Sequence, residues 1–302
     1  LSESDAGEDS PHLDEKEQRQ AADRAAPGPL VIHEIVREEG ETELTRSFNA
    51  LAWSGLAAGL SIGFSFITQA YMQAGLPDTS WRRLVASFGY CLGFLIVVLG
   101  RQQLFTETTL TALIPTLHRR NLSCLLSTLR VWGIVLAANL IGTLIFAFIA
   151  SRPGVFASDA NGAMATISAK LLALPWWQCA IRAGAAGWLI GLMVWLLPAA
   201  GSARPLVIIL LTYVVAMCEF PHIIAGSVEA AYGVFTGHAS VSDYVTHFLV
   251  PVALGNTIGG TALAALLNHA PVASDMQERQ SANRSPLQRF FRGARAQHVI
   301  GR

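Results

Sequence analysis

His222 follows Phe220-Pro221 inside a long apolar stretch, where an ionisable ring is costly and needs a task. An imidazole there can donate a hydrogen bond to an anion or deliver a proton near neutral pH. Phe105 and Thr106 belong to LFTETTL, a second polar interruption of an apolar run, with further hydroxyls at Thr108 and Thr109. His222, Phe220, Phe105 and Thr106 therefore mark a pathway for a small solute. Asn139 and Asn256 carry amides suited to tying down interrupted backbone, a scaffold task. Arg101, Glu107, Arg182, Glu219 and Glu229 also lie among apolar residues. Unpaired, each would cost several kcal/mol or change its protonation state, so ion pairs are expected, with Arg182 against one of the glutamates. Lys170 precedes an apolar stretch and is expected at an outer vestibule.

Other chemistries find no support. The cysteines Cys91, Cys124, Cys179 and Cys218 lie in or beside apolar runs without C-x-x-C spacing, so they read as buried thiols. No H-E-x-x-H, G-x-S-x-G or G-K-[ST] motif is present, so neither an enzyme nor a cofactor or metal site is expected. Zero net charge argues against a nucleic-acid partner.

The elements that must position these residues cross a membrane. Hydrophobic residues make up 52% of the chain and charged ones 14%, against about a quarter in soluble domains. The charges crowd the ends: 13 of 21 acidic residues precede Asn49, and 6 of 21 basic ones follow Ala270. Residues 1–28 read as a disordered acidic arm and 29–45 as an amphipathic interfacial helix, with Gly40 expected near its end. Residues 46–270 form the pore domain and 271–302 a basic tail that can touch lipid. Six apolar stretches lie near Phe48–Met72, Leu84–Ile114, Leu125–Ile149, Trp177–Leu197, Leu206–Val234 and Phe248–Leu267. About 20 helical residues span the hydrocarbon. The second and fifth stretches are longer and interrupted, by GRQQLFTETTL and CEFPHIIAG. Such breaks survive only where protein or a water-filled cavity surrounds them, and they point to a binding site.

The interruptions repeat. Asn139-Leu140-Ile141-Gly142 and Asn256-Thr257-Ile258-Gly259 are offset by 117 residues, and the same offset carries Phe105 to His222. Two three-helix halves, each with a broken middle helix, predict an inverted repeat in an all-α membrane fold of six transmembrane helices. Fifteen Lys and Arg fall on the side of the termini and four on the other, which predicts cytoplasmic N and C termini. Gly55, Gly59 and Gly63, and Ala183, Gly187 and Gly191, predict close helix–helix packing.

LFTETTL, FPH at Phe220–His222, ANLIG at Ala138–Gly142 and VALGNTIGG at Val252–Gly260 stand in the order and spacing of the signature runs of formate/nitrite transporters. The chain resembles that family, and its YfdC-like branch most, over roughly Phe48 to Leu267. The resemblance implies an aquaporin-like fold, a homo-pentamer with one pore per subunit, and a bacterial inner-membrane location. It implies passage of small monovalent anions or their conjugate acids: formate, nitrite, hydrosulfide or short carboxylates. The family's central histidine maps to His222, its threonine in the first break to Thr106 and its vestibule lysine to Lys170. Tyr90 and Val215 map to the constriction positions, and Arg182 to an arginine of some members. Gly187 and Gly226 stand where the family often has asparagine, Pro221 where it has an acidic residue, and Glu107 and Glu219 are additions. These departures keep two alternatives open, a pore for a neutral solute and a non-transporting membrane scaffold.

Overall fold

A computed structural model describes residues 12–18, 27–266, 268 and 270–272. Most of the expected arm and tail lie outside the described residues. The first long helix is α1 (Pro29–Thr45), followed by α2 (Phe48–Ser61) and α3 (Gly63–Gly75), nearly continuous through Ile62. Helix α4 (Arg82–Leu99) stops before a non-helical run, and α5 (Phe105–Thr111) and α6 (Leu113–Arg119) follow. Then come α7 (Leu122–Ala150), α8 (Ser158–Leu172) and α9 (Trp176–Leu196). Helix α10 (Arg204–Met217) ends at the second break, and α11 (Ala225–Phe235) resumes beyond it. The last helical column joins α12 (Val241–Asp243) and α13 (Val250–Ile258) through π-helical Tyr244–Leu249, and Gly259–Leu266 is π-helical too. Among the described residues, four segments are long and apolar enough to cross a membrane: Phe48–Gly75, Arg82–Leu99, Leu122–Ala150 and Trp176–Ala199. The chain is an all-α membrane protein with broken helices. Exposed Phe48, Trp53, Trp177, Ile181 and Leu210 give its outside an apolar surface suited to lipid or a neighbouring subunit.

The two breaks are built alike. Helix α4 closes with the Arg101 N–H on the Val98 carbonyl and the Gln102 N–H on the Val97 carbonyl, 3.1 and 3.0 Å. Helix α10 closes with the Glu219 N–H on Ala216 and the Phe220 N–H on Val215, 3.1 and 2.9 Å. Both are Schellman closures, which place one residue in the left-handed region. Those residues are Arg101 (φ 50°) and Glu219 (φ 53°), where glycine would be unstrained.

Each closure strands backbone groups, and one asparagine collects them. Asn139 accepts from the Phe105 N–H at 2.9 Å and donates to the carbonyls of Gln103 (2.9 Å) and Gly55 (2.7 Å). Asn256 accepts from the Ile223 N–H at 2.8 Å and donates to the carbonyls of Pro221 (3.1 Å) and Ala183 (2.7 Å). The amides reach across because the helices touch backbone to backbone. A Cβ on Gly59 would lie 2.2 Å from the Asn139 carbonyl oxygen, and one on Gly187 2.2 Å from that of Asn256. The predicted small-residue ridges are thus consumed inside the subunit. They also explain why Gly187 leaves no room for an asparagine.

Three expectations are corrected. Helix α1 runs through Gly40, which is a contact point: a Cβ there would meet the Thr111 carbonyl oxygen at 2.0 Å. The break residues match at an offset of 118, since Phe105 and Ile223 make the equivalent bonds; His222 therefore corresponds to Leu104. The segment joining break to asparagine is one residue shorter in the second half. Helix α8 was not foreseen, because it is short and its composition is mixed; Asp159 in its first turn and Lys170 in its last suit the helix dipole.

Candidate functional site

The breaks meet at one hydrogen bond. His222 Nε2 lies 2.7 Å from Thr106 Oγ1, and both residues are buried. His222 Nδ1 accepts from the Ala225 N–H, 3.2 Å away, the first helical residue of α11. An accepting Nδ1 puts the proton of the neutral ring on Nε2, so His222 donates toward Thr106. Doubly protonating the ring would oppose two N–H groups at Nδ1 and free the start of α11. Phe94 sets its ring edgewise against the imidazole, centroids 5.0 Å apart.

Two cavities approach this bond and share no lining residue. The first, about 370 Å³, is lined by His222, Phe220, Tyr90, Val215, Lys170 and Glu229 among others. The second, about 680 Å³, is lined by Glu107, Gln103, Glu43, Arg101 and Arg204 among others. Arg82, Ala86 and Tyr90 of α4 face the first cavity, and Val98 and Leu99 face the second. The cavities therefore sit at opposite ends of a helix of 18 residues, roughly 27 Å long. His222 lines the first cavity, and Glu107, the residue after Thr106, lines the second.

At the mouth of the first cavity, Glu219 Oε1 lies 3.7 Å from both Lys170 Nζ and Arg83 Nη1. In the second, Arg101 lies 3.7 Å from Glu39 on α1. The Glu43 carboxylate accepts from Thr111 Oγ1 (2.5 Å) and Gln103 Nε2 (3.3 Å). Burial raises its pKa to about 7, against the lowering effect of those hydrogen bonds. Glu107 Oε1 is buried with no hydrogen-bond partner among the described residues.

The structure brings His222, Thr106, Phe220, Tyr90, Val215 and Lys170 to one cavity and its floor. It sets Phe105 apart. That ring is buried beside Trp132, centroids 6.3 Å apart, and lines neither cavity; only its N–H serves the break. The expected Arg182 ion pair does not form: partly buried Arg182 has no carboxylate partner among the described residues, and Glu219 pairs with Lys170 and Arg83 instead. Glu43 was missed by sequence reading. Its signal was faint, an acidic residue near the end of an amphipathic helix otherwise rich in acids.

The family model for formate/nitrite transporters matches residues 30–270. The chain belongs to the formate/nitrite transporter family. It is 39% identical over 260 residues to "Inner membrane protein YfdC" of Escherichia coli (strain K12), covering 86% of this chain and 84% of that protein. The fold is similar to that of an "FNT family ion channel" (TM-score 0.71, 18% identity, covering 80% of this chain and 98% of the other). It is also similar to that of a "Pentameric formate channel with formate bound" (TM-score 0.59, 22% identity, 76% and 96%). Membership makes this chain a transport protein, and the match to YfdC bears out the expected branch.

Proposed function

We propose that this protein carries a small monovalent weak acid, formate or a short carboxylate, between the two cavities and past the His222–Thr106 bond. The observation that carries this is the His222–Thr106 hydrogen bond between the two broken helices, with His222 lining one cavity and Glu107, beside Thr106 in the chain, lining the other. An anion pays a large desolvation penalty in such surroundings. Lys170 and Arg83 offer a positive rim that draws it in, and neutralisation then lowers the cost of crossing. His222 donates its Nε2–H to the solute in place of Thr106, which relays or re-forms the bond afterwards. Tyr90, Val215 and Phe220 shape the approach, while Asn139 and Asn256 hold the breaks. Arg182 is a framework residue of α9.

The wider organisation is proposed by likeness to the family. The proposed topology has six crossings over 46–270 in an aquaporin-like inverted repeat, with α10–α11 as the fifth crossing and the last helical column as the sixth. Support comes from the paired closures and paired asparagines. We assign residues 29–45 to the membrane interface and the arm 1–28 and tail 271–302 to the cytoplasm, on the basic-residue bias. A bacterial inner membrane and a homo-pentamer are the proposed setting, by likeness to the relatives above.

The test is uptake of formate, nitrite, acetate and lactate into proteoliposomes, with an uncharged solute as control. Weak-acid uptake that exceeds empty liposomes and falls on His222 substitution supports the proposal. Uptake of the uncharged solute alone would favour a neutral-solute pore, a reading prompted by the carboxyls of Glu107, Glu219 and Glu229 in the cavities.

A further inference from the structure

The first cavity holds a carboxyl that the hydrogen-bond framework leaves unused. Glu229 lies on α11, is 9% exposed and lines the cavity. It has no hydrogen bond or ion pair among the described residues. His222, Gly226 and Glu229 follow at steps of four and three along the chain and all reach the same cavity, with Glu229 on the mouth side of His222 along α11.

The charged neighbours are otherwise engaged. From α4, Arg82 donates to the Gln73 carbonyl and pairs with Asp78, while Arg83 faces Glu219. From α8, Lys170 also faces Glu219. The remaining titratable groups in the lining are Tyr90 and His222, and His222 is satisfied at both nitrogens. Of the elements packed on α11, α3 brings only Gln69 and Gln73 to the lining, and α7 brings no titratable group. Tyr244 of the π-helical turn bonds Ser227 at 2.6 Å and lies outside the lining. No cation therefore offsets a negative Glu229. An unpaired carboxylate at so buried a position costs far more than a neutral carboxyl, so the group rests as an acid with one O–H to give.

We propose that Glu229 is the proton-donating residue of the first vestibule, protonating the weak-acid anion before it reaches His222; this rests on the transport reading above. The step is a single proton transfer. The O–H bond of Glu229 breaks, its electron pair stays on the Glu229 oxygen, and a new O–H bond forms on the solute carboxylate. The neutral acid moves on to the His222 Nε2–H. A hydronium ion from the bulk on that side, relayed through vestibule water, returns a proton to the charged Glu229 and restores the neutral acid. Anion movement is thereby tied to one proton taken from the side on which the first cavity opens.

The experiment is formate uptake by liposomes of the full chain in a single orientation, with pH varied only on the side of the first cavity. Wild-type uptake should climb as that pH falls from 8 to 5, approaching at most about tenfold per pH unit, the limit for one titrating group. Glu229→Gln keeps the shape and a donor but has no proton to give. It should hold uptake near the wild-type pH 8 level across the range and so lose most of the slope. If Glu229→Gln does not assemble, Glu229→Met, close in volume and apolar, must show the same loss. Glu229→Asp should restore the slope. Assembled Gln or Met variants with the wild-type profile would overturn the role of Glu229 and leave the transport reading standing. Wild-type liposomes that pass no weak acid would overturn both.

Discussion

Arg101 and Glu219 hold the same left-handed backbone, φ 50° and 53°, at the ends of two broken helices, and they carry opposite charges at opposite cavities. Neither is glycine, so each position stores strain of about 1 kcal/mol. Charge is what the side chains contribute in return: Glu219 to Lys170 and Arg83, Arg101 to Glu39. These pairs are largely exposed and worth about 0–1 kcal/mol each. Arg101→Gly and Glu219→Gly should therefore leave the thermal stability of the detergent-solubilised protein equal or higher. A marked fall in melting temperature would show that the ion pairs outweigh the strain.

Glu219 also competes with an incoming anion for Lys170 and Arg83. Glu219→Gln should raise formate uptake a few-fold at low substrate concentration, and the gain should shrink at high salt as the rim field is screened. Initial rates in low-salt and high-salt buffer measure it. A slower Gln variant in both buffers would remove Glu219 from any such competition.

Asn139→Ala and Asn256→Ala each delete three buried hydrogen bonds and orphan one N–H and one carbonyl at the break, while the carbonyls of Gly55 and Ala183 keep their helical bonds. Each orphaned buried group costs on the order of 1–3 kcal/mol. Both variants should unfold at clearly lower temperature than wild type, by similar amounts because their bonds match. Unequal losses would mean that the two breaks are not equivalent in energy.

His222→Asn removes the Nε2–H toward Thr106, and Thr106→Val removes the partner while nearly keeping volume. Weak-acid uptake should fall about tenfold or more for His222→Asn, a change of roughly 1.4 kcal/mol in barrier, and less for Thr106→Val. Gel filtration of both variants checks assembly. Wild-type uptake by His222→Asn would reduce the histidine to a spacer.

Helix α1 docks on α5 through Glu43 and the close approach at Gly40. Burial lifts the pKa of Glu43 in the docked state to about 7, above its ordinary value of 4.5. An acid raised in the docked state binds its proton more tightly there, so docking strengthens as pH falls through 7 and gains no more below about 4.5. Above 7 the ionised carboxylate weakens it in full. Amide hydrogen exchange over 29–45, corrected for the intrinsic pH effect, should show more protection at pH 5 than at pH 8. Glu43→Gln should abolish the difference. Gly40→Ala should raise exchange at both pH values, since its Cβ would meet the Thr111 carbonyl oxygen at 2.0 Å.

Hydropathy, the polar interruptions at 100–110 and 218–226, and the twin Asn-x-Ile-Gly runs determined by themselves that this chain is a membrane protein with two broken helices, and where the breaks fall. Unpaired backbone is so costly in lipid that only a helix, or a break braced by protein, fits such stretches; a local pattern therefore sufficed. Small-residue spacing likewise announced the close packing at Gly59 and Gly187. What each polar side chain does was decided only by tertiary structure. Arg182 looked like a partner for one of the glutamates, yet among the described residues none pairs with it, and Glu219 faces Lys170 from α8 and Arg83 from α4. Phe105 looked like a pore residue, but its ring turns to Trp132 and leaves its N–H to the break. Glu43 and Glu229 looked like an interfacial acid and an ion-pair member, and became a latch and an unpaired vestibule carboxyl. Burial and partnership depend on residues brought together from distant helices, 27 positions apart for Phe105 and Trp132 and 136 for Arg83 and Glu219, and a one-residue difference in the second half moves His222 from the place of Phe105 to that of Leu104. Distances of that kind are set by how helices cross, which no local spacing encodes.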